Sequence, residues 1–157
     1  MNPDTARTRL SRRPGFLLSR TGAAVQAGFK EVVAGWDIRP LHFLVLVSVH
    51  AAEGRPQQEL CRAVGVDSGN MVELLDRLEA LGYIKRVRDS KDRRRQLIVM
   101  TSTGRSVISD MSQAIEAHDR RFFSPLTNTE QAQLVRLLSK LYVATPEARG
   151  QGFAAAD

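Results

Sequence analysis

The feature that most constrains this chain is a change of hydrophobic period at Gly82. Before it, Met71, Leu74, Leu75, Leu78 and Leu81 recur at spacings of three and four, which puts them on one face of an α-helix. After it, Tyr83-Ile84-Lys85-Arg86-Val87-Arg88 and Gln96-Leu97-Ile98-Val99-Met100 are β-rich runs flanking the polar stretch Asp89 to Arg95. The pattern is a helix stopped by a C-capping glycine and followed by a hairpin with a charged tip. That hairpin is a candidate wing.

The elements around this junction extend the pattern. Asp67 or Ser68 can cap the helix that ends at Gly82. Just before it, a short helix is predicted over 58–64 with Leu60, Cys61 and Val64 inward, and Gly65 frees the backbone for a tight turn. Two helices joined so closely match a helix-turn-helix. Further upstream, Pro14 opens a first helix carrying Leu17, Leu18, Val25, Phe29, Val32, Val33 and Trp36. Gly22 and Gly28 weaken its propensity, so its order must come from packing on other elements or another chain. Pro40 opens a second helix, which the turn-forming cluster Glu53-Gly54-Arg55-Pro56 ends. After the hairpin, Thr101 caps a long helix with Ile108, Met111, Ile115, His118 and Phe122 along one seam, and Pro125 ends it. A Thr127/Glu130 capping box starts a last helix with the stripe Leu134, Leu137, Leu138 and Leu141. The predicted class is mainly α with a small β-hairpin wing, flanked by a mobile basic arm over 1–13 and a frayed tail over 146–157.

Length and charge narrow the function. With 157 residues, 43% of them hydrophobic, the chain can bury one core without disulfide or metal. A formal charge of +6 favours a polyanionic partner, because Lys and Arg that neutralise phosphates release counterions. The most apolar run, Leu41 to Val49, is interrupted by His42 and Ser48 and is far shorter than the ~20 residues of a spanning helix. No signal peptide is evident, and the single Cys61 suits a reducing interior, so a cytoplasmic location is expected. His42, His50 and His118 have no partners at ligand spacing, and no nucleophile elbow, P-loop or dinucleotide fingerprint occurs, so neither a metal, a cofactor nor an enzyme is expected.

Two stretches resemble a known family. Asp76-Arg77-Leu78-Glu79-Ala80-Leu81-Gly82-Tyr83-Ile84-Lys85-Arg86, followed by Asp89-Ser90-Lys91-Asp92-Arg93-Arg94-Arg95 and Met100-Thr101, resembles the end of the recognition helix, the wing and the next helix start in the multiple antibiotic resistance regulator (MarR) family. Ile38-Arg39-Pro40-Leu41-His42-Phe43 resembles that family's second-helix start. The resemblance implies a homodimeric transcription regulator, commonly a repressor released by a small aromatic ligand between its lobes. It implies dimerisation helices over 14–36 and 102–145, and a winged helix-turn-helix lobe over 38–101 that binds pseudo-palindromic DNA.

Candidate site residues follow from that frame. Ser68, Asn70, Val72, Glu73 and Arg77 are the outward residues of the recognition helix; Asn suits adenine, Glu cytosine, and Arg guanine or phosphate. The bland alternative is a solvated helix face. In the wing, Lys91, Arg93, Arg94 and Arg95 sit at a tip thin enough for the minor groove, whose negative potential favours arginine. Phe16, Trp36, His42 and Phe43 either line a cleft for a phenolic or carboxylate ligand or simply fill the core. Two rival functions stand beside this one. Cys61 could be a redox-sensing thiol, although a small buried residue suits its place. The few basic residues of the recognition helix also fit a winged-helix module that binds protein instead of DNA.

Overall fold

The computed structural model describes residues 11–90, 92 and 95–145. The tail expected over 146–157 lies outside these residues, as does the arm expected over 1–13 apart from residues 11–13. The described elements are α1 (Pro14–Ala34), α2 (Pro40–Ala51), β1 (Arg55–Pro56), α3 (Gln57–Val64), α4 (Ser68–Ala80), β2 (Ile84–Arg88), β3 (Gln96–Met100), α5 (Ser102–Phe122) and α6 (Asn128–Val143).

The helices α4, α5 and α6 each begin at a side-chain cap. Asp67 caps α4 by accepting from the Asn70 backbone N–H at 3.0 Å, which settles the choice between Asp67 and Ser68. At the other end Gly82 has φ +73°, and the N–H groups of Gly82 and Tyr83 donate to Glu79 and Leu78 carbonyls at 2.9 and 3.0 Å. This is a Schellman closure, open to glycine because φ is positive. Gly65 ends α3 in the same left-handed region. The Thr101 hydroxyl caps α5 by accepting from the Gly104 N–H at 2.9 Å and donates to the Gly82 carbonyl at 2.6 Å, fixing α5 against the α4–β2 corner. A Cβ on Gly104 would lie 2.0 Å from the Tyr83 carbonyl oxygen, so this close approach requires glycine.

The sheet contains the predicted hairpin and one strand more. It has three antiparallel strands in the order β1-β3-β2, with Arg55 opposite Ile98 and Ile84 opposite Met100. The segment read as a turn, Glu53 to Pro56, supplies the added strand, and the Gly54 N–H donates to the Ile98 carbonyl at 3.0 Å. Two residues are too few for an alternating pattern to show. Proline is tolerated because this is an edge strand.

One core joins the lobe to the terminal helices. Val45, Leu46 and Val49 of α2, Leu60 and Val64 of α3, Met71, Leu75 and Leu78 of α4, and Ile84, Ile98 and Met100 of the sheet are buried together. Val33 of α1 and Ile108 and Met111 of α5 extend it. Helix α1 crosses α5 where a Cβ on Gly28 would stand 2.0 Å from His118 Nε2. By contrast α6 buries no residue.

Candidate nucleic-acid interface

The exposed side of α4 begins at its capped end. Asn70 donates its side-chain amide back to Asp67, and these hydrogen bonds, the backbone one foremost, hold the Asp67 carboxyl below its ordinary value. Ser68 is exposed, and its hydroxyl and carbonyl each lie 3.4 Å from Gln57 Nε2 at the start of α3. The two helices of the helix-turn-helix are thereby tied at their N-termini. Val72 and Glu73 are also exposed, Val72 being 40% accessible. A valine left open on a short polar helix costs apolar hydration unless something covers it.

The base of the wing is braced to α4. The Arg86 backbone N–H donates to Glu79 at 2.9 Å, and its guanidinium pairs with Glu79 and, at 2.6 Å, with Asp76. The Arg86 side chain is only 19% exposed. Burial alone would lower its pKa, but the two carboxylates outweigh this and hold it above its ordinary value. Toward the tip, Asp89 N–H donates to the Arg95 carbonyl at 3.0 Å and Arg95 N–H to the Asp92 carbonyl at 2.9 Å, closing the loop. Arg95 is exposed and shares a cleft of about 400 Å³ with Gln57, Gln58 and Arg62 of α3. Lys91, Arg93 and Arg94 lie outside the described residues.

Arg77 leaves α4 on another flank. Its guanidinium pairs with Asp37 in the α1–α2 turn, and Nη2 also donates to the Asp37 carbonyl at 3.2 Å. Together with Ala34, Ile38, Arg39, His42 and Glu73 they line a cleft of about 410 Å³. His42 is 4% exposed, and its Nδ1 accepts from the Arg39 backbone N–H at 3.2 Å, which caps α2. Burial, followed by the nearby Arg39 cation and the weaker effect of Arg77, keeps its pKa below 6.5.

The expected four-residue ligand lining is not assembled within one chain. Phe43, next to His42 on α2, turns instead to Phe29 of α1 in an edge-to-face pair at 5.6 Å. Trp36 packs against the core, and Phe16 sits near the far end of α1. That end is about 27 Å along the helix from Ala34 at 1.5 Å per residue. Phe16, His42 and Phe43 lie on helices as expected, but Trp36, expected on the first helix, lies in the turn after Ala34, and periodicity could not show which neighbour each side chain faces. Sequence reasoning also passed over Asp37, Arg39 and the bracing role of Arg86, because their partners are distant in the chain.

A second exposed surface is apolar. Leu17, Leu18 and Val25 of α1, Phe123, and Leu134, Leu137, Leu138 and Leu141 of α6 line a groove of about 1020 Å³. Leu141 is 59% exposed and Leu17 and Leu18 are each 50% exposed. Cys61 is half-buried against the core. Among the described residues no group of three His, Cys, Asp or Glu is placed to hold a metal ion, and no helix is long and apolar enough to cross a membrane.

Helix α3, a tight turn, α4 and a β-ribbon braced to α4 define the winged helix-turn-helix class. A profile of the MarR family matches residues 36–95. A putative transcriptional regulatory protein for the hcr operon of Thauera aromatica is 30% identical over 129 residues, 82% of this chain and 78% of its own length. Among solved structures, CouR from Rhodococcus jostii RHA1 bound to p-coumaroyl-CoA matches with a TM-score of 0.68 and 32% identity, over 87% of this chain and 96% of that chain. The transcriptional repressor CouR bound to a 23-mer DNA duplex matches with a TM-score of 0.73 and 29% identity, over 84% and 94%. The chain belongs to the MarR family and is a transcription regulator, not an enzyme.

Proposed function

We propose that two copies of this chain pair through residues 14–36 and 102–145 and that their 38–101 lobes grip a pseudo-palindromic DNA duplex in the cytoplasm. On this reading the dimer is a repressor that a small ligand releases. The observation that carries it is the division of exposed surface: a polar helix face beside a β-ribbon on the lobe, and an uncovered leucine groove on the terminal helices.

The leucine groove supports pairing. Covering what remains exposed of Leu17, Leu18, Leu137 and Leu141 contributes roughly 1 kcal/mol per side chain, about half the value for a fully exposed leucine. A C2 pair gives the two-fold symmetry that a palindrome mirrors. On α4, Ser68, Asn70, Val72 and Glu73 face the major groove, where the Val72 methyls suit a thymine methyl. Arg93 or Arg94 enters the flanking minor groove, with Lys91 adding charge beside it, while Arg95 and Arg62 stand at its phosphates. That the repressor CouR has been solved on a DNA duplex supports DNA as the partner.

The cleft at His42 supports ligand control. With Nδ1 accepting, the neutral ring carries its proton on Nε2, so a donor stands beside Arg39 and Arg77. Arg39 and that donor suit a phenolate or carboxylate, Arg77 being held by Asp37. The complex of CouR with p-coumaroyl-CoA supports a ligand-responsive reading. The test is capture of genomic fragments by the purified protein, followed by titration of the recovered duplex at several salt concentrations. Preferred binding to a palindrome is expected, with affinity falling on the order of a thousandfold between 50 and 200 mM salt. Replacing Arg93 and Arg94 with Ala is expected to weaken it while the dimer persists. Binding that is absent or insensitive to salt would reject the proposal.

A further inference from the structure

We propose that Asp37 is a positioning residue for DNA reading: it fixes the rotation of α4 about its own axis and so sets specificity more than affinity. The proposal rests on the reading of α4 as the recognition helix.

The α1–α2 turn holds α4 through two consecutive residues. Asp37 is the one non-glycine among the described residues with positive φ, at +59°. Aspartate tolerates this region better than most residues, and a non-glycine kept there invites a functional reason. In this conformation its carbonyl and its carboxylate both receive Arg77 Nη2. Beside it, the Trp36 carbonyl accepts from the Tyr83 hydroxyl at 3.3 Å, just past the Gly82 stop. The last turn of α4 and the residue after its Gly82 stop are thus tied to one short segment after α1.

A second brace comes from another side. Arg86 of β2 holds Asp76 and Glu79. On a helix of 3.6 residues per turn, Arg77 projects about 100° from Asp76 and about 160° from Glu79. Ties from such different directions add to the buried stripe of Met71, Leu75 and Leu78 in opposing a roll of α4. Rolling moves Ser68, Asn70 and Val72 off their base edges but leaves the attraction to phosphates nearly intact. Arg77, engaged with Asp37, contributes to reading by holding the helix instead of contacting a base.

Specificity is therefore the diagnostic quantity. Removing the Asp37 charge lowers repulsion of any duplex, so affinity alone would mislead; the ratio of operator to scrambled-duplex affinity cancels that effect. Fluorescence anisotropy on the full chain measures the ratio for the wild type, Asp37→Asn, Asp37→Gly, Arg77→Ala and the Asp37→Asn/Arg77→Ala double variant. Asn and Gly both accept positive φ, so the turn itself is preserved. Loss of an exposed ion pair should lower the ratio about threefold per half-site, hence about tenfold on a palindrome. Binding to the scrambled duplex should be unchanged or tighter, and the double variant should lose no more than either single one. An unchanged ratio in both Asp37 variants overturns the proposal, as does a loss confined to Arg77→Ala, which would make Arg77 a direct reader. A wild type without preference for any duplex would overturn the DNA-binding function itself, a result visible before any variant is measured.

Discussion

Replacing Gly28 with Ala sets two effects of known sign against each other. In the middle of a 21-residue helix, alanine should gain about 1 kcal/mol over glycine. The added Cβ, however, would stand 2.0 Å from His118 Nε2, 2.9 Å from Cδ2 and 3.0 Å from Cε1. The His118 ring has little room to retreat, because it is 8% exposed, stacks on Phe122 at 6.2 Å and places Nδ1 3.2 Å from Asp119. Overpacking of this kind costs about 1–3 kcal/mol, and three ring atoms inside contact distance put Gly28 at the upper end. The cost wins, leaving a net loss of about 1–2 kcal/mol. At this chain length that lowers the melting temperature by roughly 2–8 °C. The assay is urea unfolding at one fixed protein concentration, since pairing makes stability depend on mass action. Repeating the substitution in a His118→Ala background removes the obstacle, and there Gly28→Ala should stabilise by about 1 kcal/mol. Equal effects of Gly28→Ala in both backgrounds would refute the reasoning, because the ring would then not be what glycine accommodates.

Other perturbations test the interface and its supports. Arg86→Ala removes a guanidinium bonded to Asp76 and Glu79 and should cost about 1–2 kcal/mol in urea unfolding after allowing for the exposed partners; no loss would mean that strand pairing alone holds the wing. Because the folded pKa of His42 lies below its ordinary value near 6.5, the unfolded chain binds the extra proton first. Stability should therefore fall as pH drops from 7 through 6.5, and His42→Gln should flatten that slope in thermal melts between pH 5.5 and 7.5. Asp67→Ala removes the cap of α4 and should speed amide exchange at Asn70 relative to Leu75; equal protection would show the cap to be dispensable.

How much was legible depended on whether a residue's role is local or distant. Caps and stops are local: Gly82, Thr101 and the Thr127/Glu130 box could each be read within four residues and the cap of α4 narrowed to Asp67 or Ser68, and these boundaries fall where such groups satisfy backbone donors or acceptors. Inward faces were nearly as clear, because burial of Met71, Leu75 and Leu78 is one stripe at helical period. The α6 stripe is the informative exception. Its leucines repeat as regularly as those of α4, yet none is buried, since period reports that an apolar face exists and not which surface covers it. The candidate site lies at the far end of that scale. Arg77 meets Asp37 across 40 residues, and His42 and Phe43, adjacent in sequence, face α4 and α1 respectively. Side chains about 100° apart on one helix meet different neighbours, and only the packing of α1, α2 and α4 decides which. A helix and its outward face can therefore be read from its own residues, while the partners that hold its flanks, Asp37 for Arg77 and Arg86 for Asp76 and Glu79, are decided by the packing of distant segments.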